Sequence, residues 1–275
     1  FSTYLSHTDR FFPSFGICTD SKGYIYISGN TRDKNFPTSE GAFQRELKGE
    51  ADAFVAKFSP DGKIVFATLI GGTKREHHTG ITVDNDGYVY LVGGTHSPDF
   101  PVTPGACDTS FNGEGEWAGD VYLAKINPSG SAIVFATFIG GKVEDTAHAV
   151  KIDSKGNIVI GGATCSPDFP ATEGVIHDNY SKQACFIAKF SPNGDKLLFS
   201  TSLGNGVYEM ITDLAIDNKD TIYATGFTVA ADLPVTENAI RKNLIRPKTG
   251  GFENGLDHFL AKINQTGTKI LYLSY

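Results

Sequence analysis

Three acidic residues occupy the same position in successive parts of this chain, eight residues before an aspartate that precedes a turn. The acids are Glu76, Asp145 and Glu209, and the turn aspartates are Asp84, Asp153 and Asp217. The neighbouring histidines are His77, His78 and His148. If the carboxylates converge, they could bind a hard cation, or hold a catalytic acid and base with raised pKa values. The alternative is structural, with each acid tying down the loop that carries it.

A second candidate site lies in the loop from Gly105 to Gly119, which mixes oxygen-bearing side chains with glycines. The candidate metal ligands are Asp108, Asn112, Glu114 and Glu116. These donors could wrap a calcium ion, although their spacing is not that of an EF-hand. Trp117, the single tryptophan, could stack on a sugar ring. The alternative is an acidic surface loop without a ligand. The sequence therefore requires no cofactor, and calcium is the one cofactor that this loop could bind.

Sequence motifs for other chemistries are absent. The chain has no G-x-S-x-G elbow, no H-E-x-x-H helix, no P-loop and no dinucleotide fingerprint. Its four cysteines form no C-x-x-C pair, which argues against structural zinc. Cys165 and Cys185 are expected at the same end of one hairpin, where either a disulfide or two free thiols would fit. The loop 241–255 is the most basic segment and could contact an acidic glycan or a protein, or could simply be solvated.

The elements that position these residues come from a sequence that repeats four times. The repeated segment reads DAFVAKFSPDGKIVFATLIGG from Asp52, DVYLAKINPSGSAIVFATFIGG from Asp120, ACFIAKFSPNGDKLLFSTSLGN from Ala184 and DHFLAKINQTGTKILYLSY from Asp257. Equivalent aromatic residues, at spacings of 65, 69, 64 and 73, are Phe1, Phe66, Phe135, Phe199 and Tyr272. A period of this kind indicates units that bury their apolar faces against their neighbours. We therefore expect a single domain over 1–275, with repeats of about 1–65, 66–134, 135–198 and 199–271 and a partial closing strand at 270–275.

Each repeat is expected to form four short antiparallel strands. In the second repeat, ITVD and YVYLVGGT flank the hairpin signal Asn85-Asp86-Gly87, and VYLAKIN and SAIVFATFIGG flank Pro128-Ser129-Gly130. No segment keeps an apolar helical period, so the fold class is all-β. Four-stranded antiparallel sheets repeated around an axis make a β-propeller, and we expect each repeat to be one blade.

The first strand of each repeat is predicted to be innermost, because its small leading residues suit a crowded axis. These strands are expected to begin at Gly16, Gly80, Ala149 and Asp213. Their apolar residues are predicted to pack between blades: Ile81, Val83, Val150, Ile152, Leu214 and Ile216. The turn aspartates are expected to accept backbone hydrogen bonds. The third-strand lysines are expected to lie over blade surfaces: Lys57, Lys125, Lys189 and Lys262.

Composition limits the partners. The formal net charge is −7 and no basic run is present, so nucleic acid is not an expected partner. The longest apolar stretches are too short to span a membrane as a helix. The sequence begins at Phe1 without a signal-peptide pattern, so either a targeting segment has been removed or the sequence belongs to a longer chain.

The repeat resembles the SBBP family, the β-propeller repeats of bacterial and archaeal secreted and surface proteins. The matching elements in the second repeat are Ile70-Gly71-Gly72, Val83-Asp84, VYLVGGT, DFPVTPGA from Asp99 and VYLAKINPSG. The third repeat departs from the pattern with Ala184 in place of aspartate, and the fourth with Leu233 and Asn238 in place of phenylalanine and glycine. The resemblance implies a propeller and an extracellular or cell-surface location. It implies no catalytic residues, because the family motif is structural.

Three functions remain open from the sequence. The first is a non-enzymatic, exported scaffold for binding or adhesion to a surface protein or carbohydrate. The second is a hydrolase or lyase acting on a glycan through the acids at the channel mouth. The third is a self-assembling subunit of a surface layer or filament. The blades could form a closed four-bladed ring or belong to a larger array, and the sequence favours a chain that continues.

Overall fold

The computed structural model describes residues 16–113, 115, 119–177, 183–204, 208–231, 233–245 and 256–275, without the side chains of His78 and Thr79. These residues contain sixteen β-strands. They form four sheets, and each sheet is an antiparallel meander of four consecutive strands. The expected all-β class is confirmed, and the four sheets are the blades of a β-propeller. In these ranges no helix is long and apolar enough to cross a membrane.

Within every blade the strands run from the innermost to the outermost in chain order. Blade 1 contains β1 (Gly16–Thr19), β2 (Ile25–Thr31), β3 (Asp52–Phe58) and β4 (Ile64–Ile70). Blade 2 contains β5 (Glu76–Val83), β6 (Val89–Thr95), β7 (Asp120–Ile126) and β8 (Ile133–Ile139). Blade 3 contains β9 (Asp145–Ile152), β10 (Ile158–Thr164), β11 (Ala184–Phe190) and β12 (Leu197–Thr201). Blade 4 contains β13 (Glu209–Ile216), β14 (Ile222–Thr228), β15 (Asp257–Ile263) and β16 (Ile270–Ser274).

The turn between the first two strands is fixed by its aspartate, as predicted. Asp84 Oδ1 accepts the backbone N–H groups of Asp86 and Tyr88 at 3.0 and 2.9 Å. Its Oδ2 accepts the Tyr90 hydroxyl at 3.1 Å. Gly87 takes φ of 85°, a conformation that glycine adopts without steric cost. Asp20, Asp153 and Asp217 accept the equivalent backbone hydrogen bonds.

Three of the third-strand lysines, Lys57, Lys125 and Lys262, lie over tyrosine rings, as predicted. The ammonium group of Lys125 lies 4.6 Å from the ring centre of Tyr88 and 4.9 Å from that of Tyr90. Lys57 lies over Tyr24 and Tyr26 in the same way. These contacts are cation–π interactions, so the lysines stabilise the hairpins. The prediction was wrong for Lys189, which is buried with its ammonium group 2.6 Å from Asp153 Oδ2, because this pairing offsets the cost of burying the charge.

The inner strands of blades 2, 3 and 4 begin four residues earlier than the sequence predicted, whereas β1 begins at Gly16 as predicted. Glu76, Asp145 and Glu209 are the first residues of β5, β9 and β13, whereas the predicted starts were Gly80, Ala149 and Asp213. A register shift interrupts each of these three strands near its start. The extra residue of a bulge breaks the alternation of side chains, so the sequence pattern ends at the bulge.

The apolar core lies between blades, where the inner-strand residues were expected. Ile81, Val150 and Leu214 are buried, and Val83, Ile152 and Ile216 pack at the margins of the same clusters. Gly16 and Gly80 permit the close approach of inner strands, because a side chain on Gly80 would collide with the His148 carbonyl and one on Gly16 with Ile81. The predicted need for small residues at the axis is therefore confirmed at these two positions.

The long segment that connects the second and third strands folds back along the outermost strand of its own blade. In blade 1, Ser39 N donates to Ala67 O at 2.9 Å and Leu69 N donates to Gln44 O at 3.0 Å. In blade 2, Thr103 N donates to Ala136 O and Phe138 N donates to Asp108 O. The backbone of β4 and β8 is thus hydrogen-bonded on both sides.

Contacts between inner strands join β1 to β5, β5 to β9 and β9 to β13. The first and fourth blades do not cover each other within the described ranges, because Ile17 of β1 is 72% exposed and Leu260 of β15 is 47% exposed. Phe1 to Tyr4, the second copy of the outer strand, lie outside the described residues, so the expected number of blades in the full array stays a prediction. All four cysteines are free thiols, which decides the alternative left open for Cys165 and Cys185.

Candidate functional site

A polar recess opens where the inner strands meet. Its volume is about 260 Å³, and β1, β5, β9 and β13 all contribute to its wall. Its polar lining residues are His148, Lys151, Thr212 and Asp213. We call the recess lined by these four residues the axial recess. It is slightly smaller than a typical drug-sized ligand pocket, which suits a small polar group.

Bulges in the inner strands place two of these residues. In β9, Ala147 pairs with Gly162 and Ala149 pairs with Gly161, which leaves His148 as the extra residue of the bulge. In β13, Ile211 pairs with Gly226 and Asp213 pairs with Thr225, which leaves Thr212 in the equivalent place. A bulge redirects a side chain, and here it adds His148 and Thr212 to the wall of the recess.

The recess carries one cationic and one anionic group. Lys151 Nζ lies 3.8 Å from Asp213 Oδ1, and both side chains remain accessible to solvent. Asp213 Oδ1 also accepts the Leu214 backbone N–H at 2.8 Å, which fixes the carboxylate. An exposed ion pair of this kind contributes little to stability, so both groups can be exchanged for ligand contacts at small cost.

Cys18 lies near Lys151 of this ion pair, and its burial makes the thiol a weak nucleophile. Burial raises the pKa of the Cys18 thiol to about 12, although the positive charge of Lys151 acts in the opposite direction. Thiolate is the reactive form of cysteine, and it is scarce at neutral pH when the pKa is this high.

The three acids, for which the sequence left open either convergence or separate structural roles, lie at three separate blade junctions. Glu76, at the junction of blades 1 and 2, accepts the Thr95 hydroxyl at 2.8 Å and lies beside Asp52 of the preceding blade. Asp145, at the next junction, accepts Gly141 N at 2.8 Å and the Ser166 hydroxyl at 2.9 Å.

At the third junction, between blades 3 and 4, a cysteine thiol is the hydrogen-bond donor to the acid. Glu209 lies 3.8 Å from Cys185 Sγ, which donates to it, and Ala184 replaces the aspartate of the other two junctions. All three acids are buried, and among the described residues no three His, Cys, Asp or Glu side chains form a metal-binding group.

Burial dominates the ionisation of these acids. Loss of hydration raises the pKa of Glu76 to about 7, with hydrogen bonds from Ser97 and Thr95 acting against the shift and the Asp52 charge adding to it. Burial likewise raises the pKa of Asp145 to about 7 and that of Asp120 to about 6. A carboxyl group in such a place is partly protonated at neutral pH.

The remaining candidate residues have separate positions. The His77 ring packs against Gly94 and lies 5.2 Å from the ring of His96, so it belongs to the wall of blade 2. Asn112 N donates to Asp120 Oδ2 at 2.8 Å, and Asp108 Oδ1 accepts Ser110 N at 2.8 Å. Glu114, Glu116 and Trp117 lie outside the described residues. The calcium and sugar sites in this loop therefore stay predictions.

Sequence reasoning placed His148 in the site but missed Lys151 and Asp213. A signal was present, because both are charged residues in innermost strands. Lys151 aligns with Cys18 and Thr82, and Asp213 aligns with Gly16, Gly80 and Ala149. A charge at a position where the other blades have small or neutral residues marks a difference between blades.

Comparison with known proteins supports a repeat propeller fold. No family model matches the chain, so the resemblance to SBBP repeats stays a prediction from the motifs. The uncharacterized WD repeat-containing protein L264 of Acanthamoeba polyphaga mimivirus is 25% identical over 206 residues, which are 66% of this chain and 15% of that protein.

Two solved structures have a related architecture. A protein of unknown function from Dyadobacter fermentans DSM 18053 has a TM-score of 0.52 and 10% identity, over 95% of this chain and 67% of that one. An ulvan lyase of polysaccharide lyase family PL25 has a TM-score of 0.46 and 10% identity, over 94% of this chain and 56% of that one. The first shows the fold alone, and the second is too distant to support an argument. The chain is thus similar to a WD repeat-containing protein, and the match spans a small part of that viral relative.

Proposed function

We propose that this chain is a non-enzymatic, exported β-propeller that acts as a binding or adhesion scaffold at a cell surface, with a surface protein or a carbohydrate as its partner. The fold, the repeats and the likeness to a WD repeat-containing protein support a scaffold. The export and the partner class rest on the sequence motifs.

The observation that carries the proposal is the burial of Glu76, Asp145 and Glu209 at three separate junctions. A glycan hydrolase of the kind considered above needs two carboxyl groups on opposite sides of one accessible bond, and a lyase that used these acids would need one of them to reach the sugar as a base. Here each acid is enclosed by its own blades, so a sugar cannot reach it without separating them. The acids have a structural role instead.

Other repeated polar groups are also engaged within the blades. The Asp84 carboxylate is saturated by backbone and tyrosine donors, and Lys125 lies over two tyrosine rings. Binding is therefore left to residues that differ between blades. The axial recess contains such residues, and its lysine and aspartate could contact sugar hydroxyls or a charged side chain of a protein partner.

The proposal is tested by incubating the protein with a panel of glycans and surface proteins while following both binding and product release. We expect binding without release of product. Lys151→Ala and Asp213→Ala should weaken binding if the recess is used, whereas Lys155→Ala and Asp86→Ala, in exposed turns, should not. Turnover that disappears in Glu76→Gln would contradict the proposal and support the hydrolase or lyase.

A further inference from the structure

A pair of acids is buried at each of the two junctions that flank blade 2. At the junction of blades 2 and 3, the carboxyl groups of Asp120 and Asp145 lie so close to Gly140 that a side chain on this glycine would collide with both. Asp120 belongs to blade 2 and Asp145 to blade 3, and both are fully buried. Two groups that are normally charged therefore meet where two blades pack together.

Each acid of this pair has one oxygen that is hydrogen-bonded and one that is not. Asp120 Oδ2 accepts Asn112 N at 2.8 Å. Asp145 Oδ2 accepts Gly141 N at 2.8 Å and the Ser166 hydroxyl at 2.9 Å. Asp120 Oδ1 and Asp145 Oδ1 are buried and have no hydrogen-bond partner among the described residues. A buried charge without a partner is costly, whereas a protonated carboxyl group is neutral and can donate a hydrogen bond.

The titratable groups that act on this pair also favour its protonation. Burial raises the pKa of Asp145 to about 7 and that of Asp120 to about 6, and a neighbouring carboxylate adds to each shift, Asp120 in the first case and Asp108 in the second. Burial raises the pKa of the nearby Cys165 thiol to about 11, with the charges of Glu144 and Asp145 adding to the shift, so this thiol stays neutral. The pair therefore retains a proton at slightly acidic pH.

The junction of blades 1 and 2 repeats this arrangement. Asp52 and Glu76 meet beside Gly71, and Glu76 Oε2 is buried with no hydrogen-bond partner in the part of the chain that the structure describes. Burial raises the pKa of both carboxyl groups, that of Glu76 to about 7, while the charge of Lys48 acts against the shift at Asp52. Tyr122 also faces Glu76 and stays neutral, because burial raises the pKa of its hydroxyl. Blade 2 thus has a buried acid pair on each side.

The junction of blades 3 and 4 is built differently. Ala184 stands where the first two blades have Asp52 and Asp120. The Cys185 thiol donates to Glu209 in place of a second acid. Burial raises the pKa of this thiol, so it keeps its proton and remains a donor when the pH rises through neutrality.

Blades 3 and 4 are also joined at the other end of their inner strands. The Asp220 carboxylate of blade 4 accepts the backbone N–H and the hydroxyl of Ser154 in blade 3 at 2.8 and 2.7 Å. Asp220 has φ of 59° at a position that glycine fills in the other three turns, so a strained residue is used to make this link. The Lys189 ammonium group of blade 3 donates to Gln265 O of blade 4 at 3.2 Å. These links do not need a proton shared between two acids.

We propose that blade 2 is held between its neighbours by one proton at each of its two junctions, so that it loosens on both sides as the pH rises while blades 3 and 4 stay docked. In acid the carboxyl groups are protonated whether a junction is closed or open, so protons do not favour either state. Between about pH 5 and 7 a closed junction retains a proton that an open one releases. Opening should then become about tenfold more favourable for each pH unit, and level off above pH 7.

One backbone hydrogen bond crosses each junction at an equivalent place and can report on that junction alone. In each case an amide of the long connecting segment donates to a glycine carbonyl in the turn between the last two strands of the following blade. The three bonds, at 3.0, 2.9 and 3.0 Å along the chain, are Phe43 N to Gly130 O, Cys107 N to Gly194 O and Ile176 N to Gly267 O. The first two lie at the junctions of blade 2, and the third joins blades 3 and 4.

The test measures hydrogen exchange of these three amides by NMR at pH 5 and pH 8, each rate being divided by the intrinsic rate at that pH. We expect the protection of Phe43 and Cys107 to fall by about a hundredfold, because about two pH units separate pH 5 from the point at which the acid pairs lose their protons. The protection of Ile176 should stay constant. The proposal does not depend on ligand binding, so its failure would leave the proposed function untouched.

Variants assign each response to its acid pair. Asp120→Asn should abolish the pH response of Cys107 alone, because the amide can donate to Asp145 without a shared proton. Glu76→Gln should abolish the response of Phe43 alone. The exposed Glu173→Gln is the matched control and should leave both responses intact.

Infrared spectroscopy of the parent chain gives a second measurement that needs no variant. Buried protonated carboxyl groups should give a carbonyl band at pH 6 that disappears by pH 8. The absence of this band at pH 6 would overturn the proposal, as would unchanged protection of Phe43 and Cys107 between pH 5 and pH 8. Equal loss of protection at all three amides would also overturn it, because the molecule would then open as a whole rather than around blade 2.

Discussion

The carboxyl groups of Asp52 and Glu76 come from adjacent blades and lie together against Gly71, where a methyl group would collide with both. Asp52 is held by Gln44 Nε2 and by the N–H groups of Lys48 and Gly49. Glu76 is held on one oxygen by Thr95. Two acids at one buried junction cannot both ionise without repulsion, which links the ionisation of Glu76 to the packing of the blades.

We predict that the protein loses stability as pH rises from about 4.5 to about 7. An unperturbed glutamate has a pKa of 4.5, whereas burial raises that of Glu76 to about 7 in the folded state. Below pH 4.5 the group is protonated in both states, so it has no effect. Above it, the unfolded chain releases a proton that the folded chain retains, which favours unfolding by up to about 3 kcal/mol once pH exceeds 7.

Urea denaturation at pH 5 and pH 8 measures this effect. Glu76→Gln should reduce the difference between the two pH values and stabilise the protein at pH 8, because its amide can donate to Asp52. The exposed Glu173→Gln is the control and should leave the difference unchanged. A stability that rises from pH 5 to pH 8 in the parent chain, unaltered by Glu76→Gln, would contradict the role of this pair.

We predict that Gly130→Ala is more harmful than Gly105→Ala. Both glycines have positive φ, at 72° and 81°, so alanine should cost about 1–2 kcal/mol at either position through the backbone alone. A side chain at Gly105 meets open space, whereas one at Gly130 meets the ring of Phe66. The collision should add roughly 1–3 kcal/mol to the cost at Gly130.

Thermal or urea unfolding of the two variants separates backbone strain from the collision. Phe66→Leu provides a further check, because a smaller residue should relieve part of the Gly130→Ala defect in the double variant. Equal losses at both glycines would mean that the turn does not press on the neighbouring blade.

Leu214→Ala should lower the free energy of unfolding by about 2–5 kcal/mol, because Leu214 is buried between blades 3 and 4. Ile152→Ala should cost less, since Ile152 is only partly buried at the margin of its cluster. Leu198→Ala, on an exposed outer position, should have little effect. Chemical denaturation gives all three values, and a cost at Leu198 equal to that at Leu214 would refute the assignment of the core to the blade interfaces.

We predict that calcium acts through the loop 105–119, because Glu76 and Asp145 are enclosed in separate junctions. Binding to the folded state alone would raise the thermal midpoint with calcium concentration. Such a rise should persist in Glu76→Gln and disappear in Asp108→Asn combined with Glu114→Gln. Loss of the response in Glu76→Gln would instead place the metal at the junction.

The repeat made the architecture predictable from sequence, because turn residues, strand patterns and glycines recur in the same order. Asp84 and Lys125 were interpreted correctly for this reason, since their neighbours in the repeat define the hairpin. The position of Glu76 was not predictable in the same way. The bulge that follows it hides the beginning of the strand, and the partner Asp52 is distant in sequence.

The axial recess illustrates a second limit. A repeat pattern describes what blades share, whereas Lys151 and Asp213 are places where one blade departs from the others. Their proximity depends on the relative positions of blades 3 and 4, and a sequence pattern holds no information about that distance.

The long connecting segments that run along β4 and β8 have a further consequence. An uncovered outer strand offers free N–H and C=O groups to any other extended chain, and this is a common route to edge-to-edge aggregation. Here the hydrogen bonds from Ser39 to Ala67 and from Thr103 to Ala136 close that route in blades 1 and 2, and those from Thr172 to Ser200 and from Thr236 to Leu273 do so in blades 3 and 4. The same segments vary in length between repeats, so the loops can change while the anchoring residue in each segment keeps its blade protected against amyloid-like pairing.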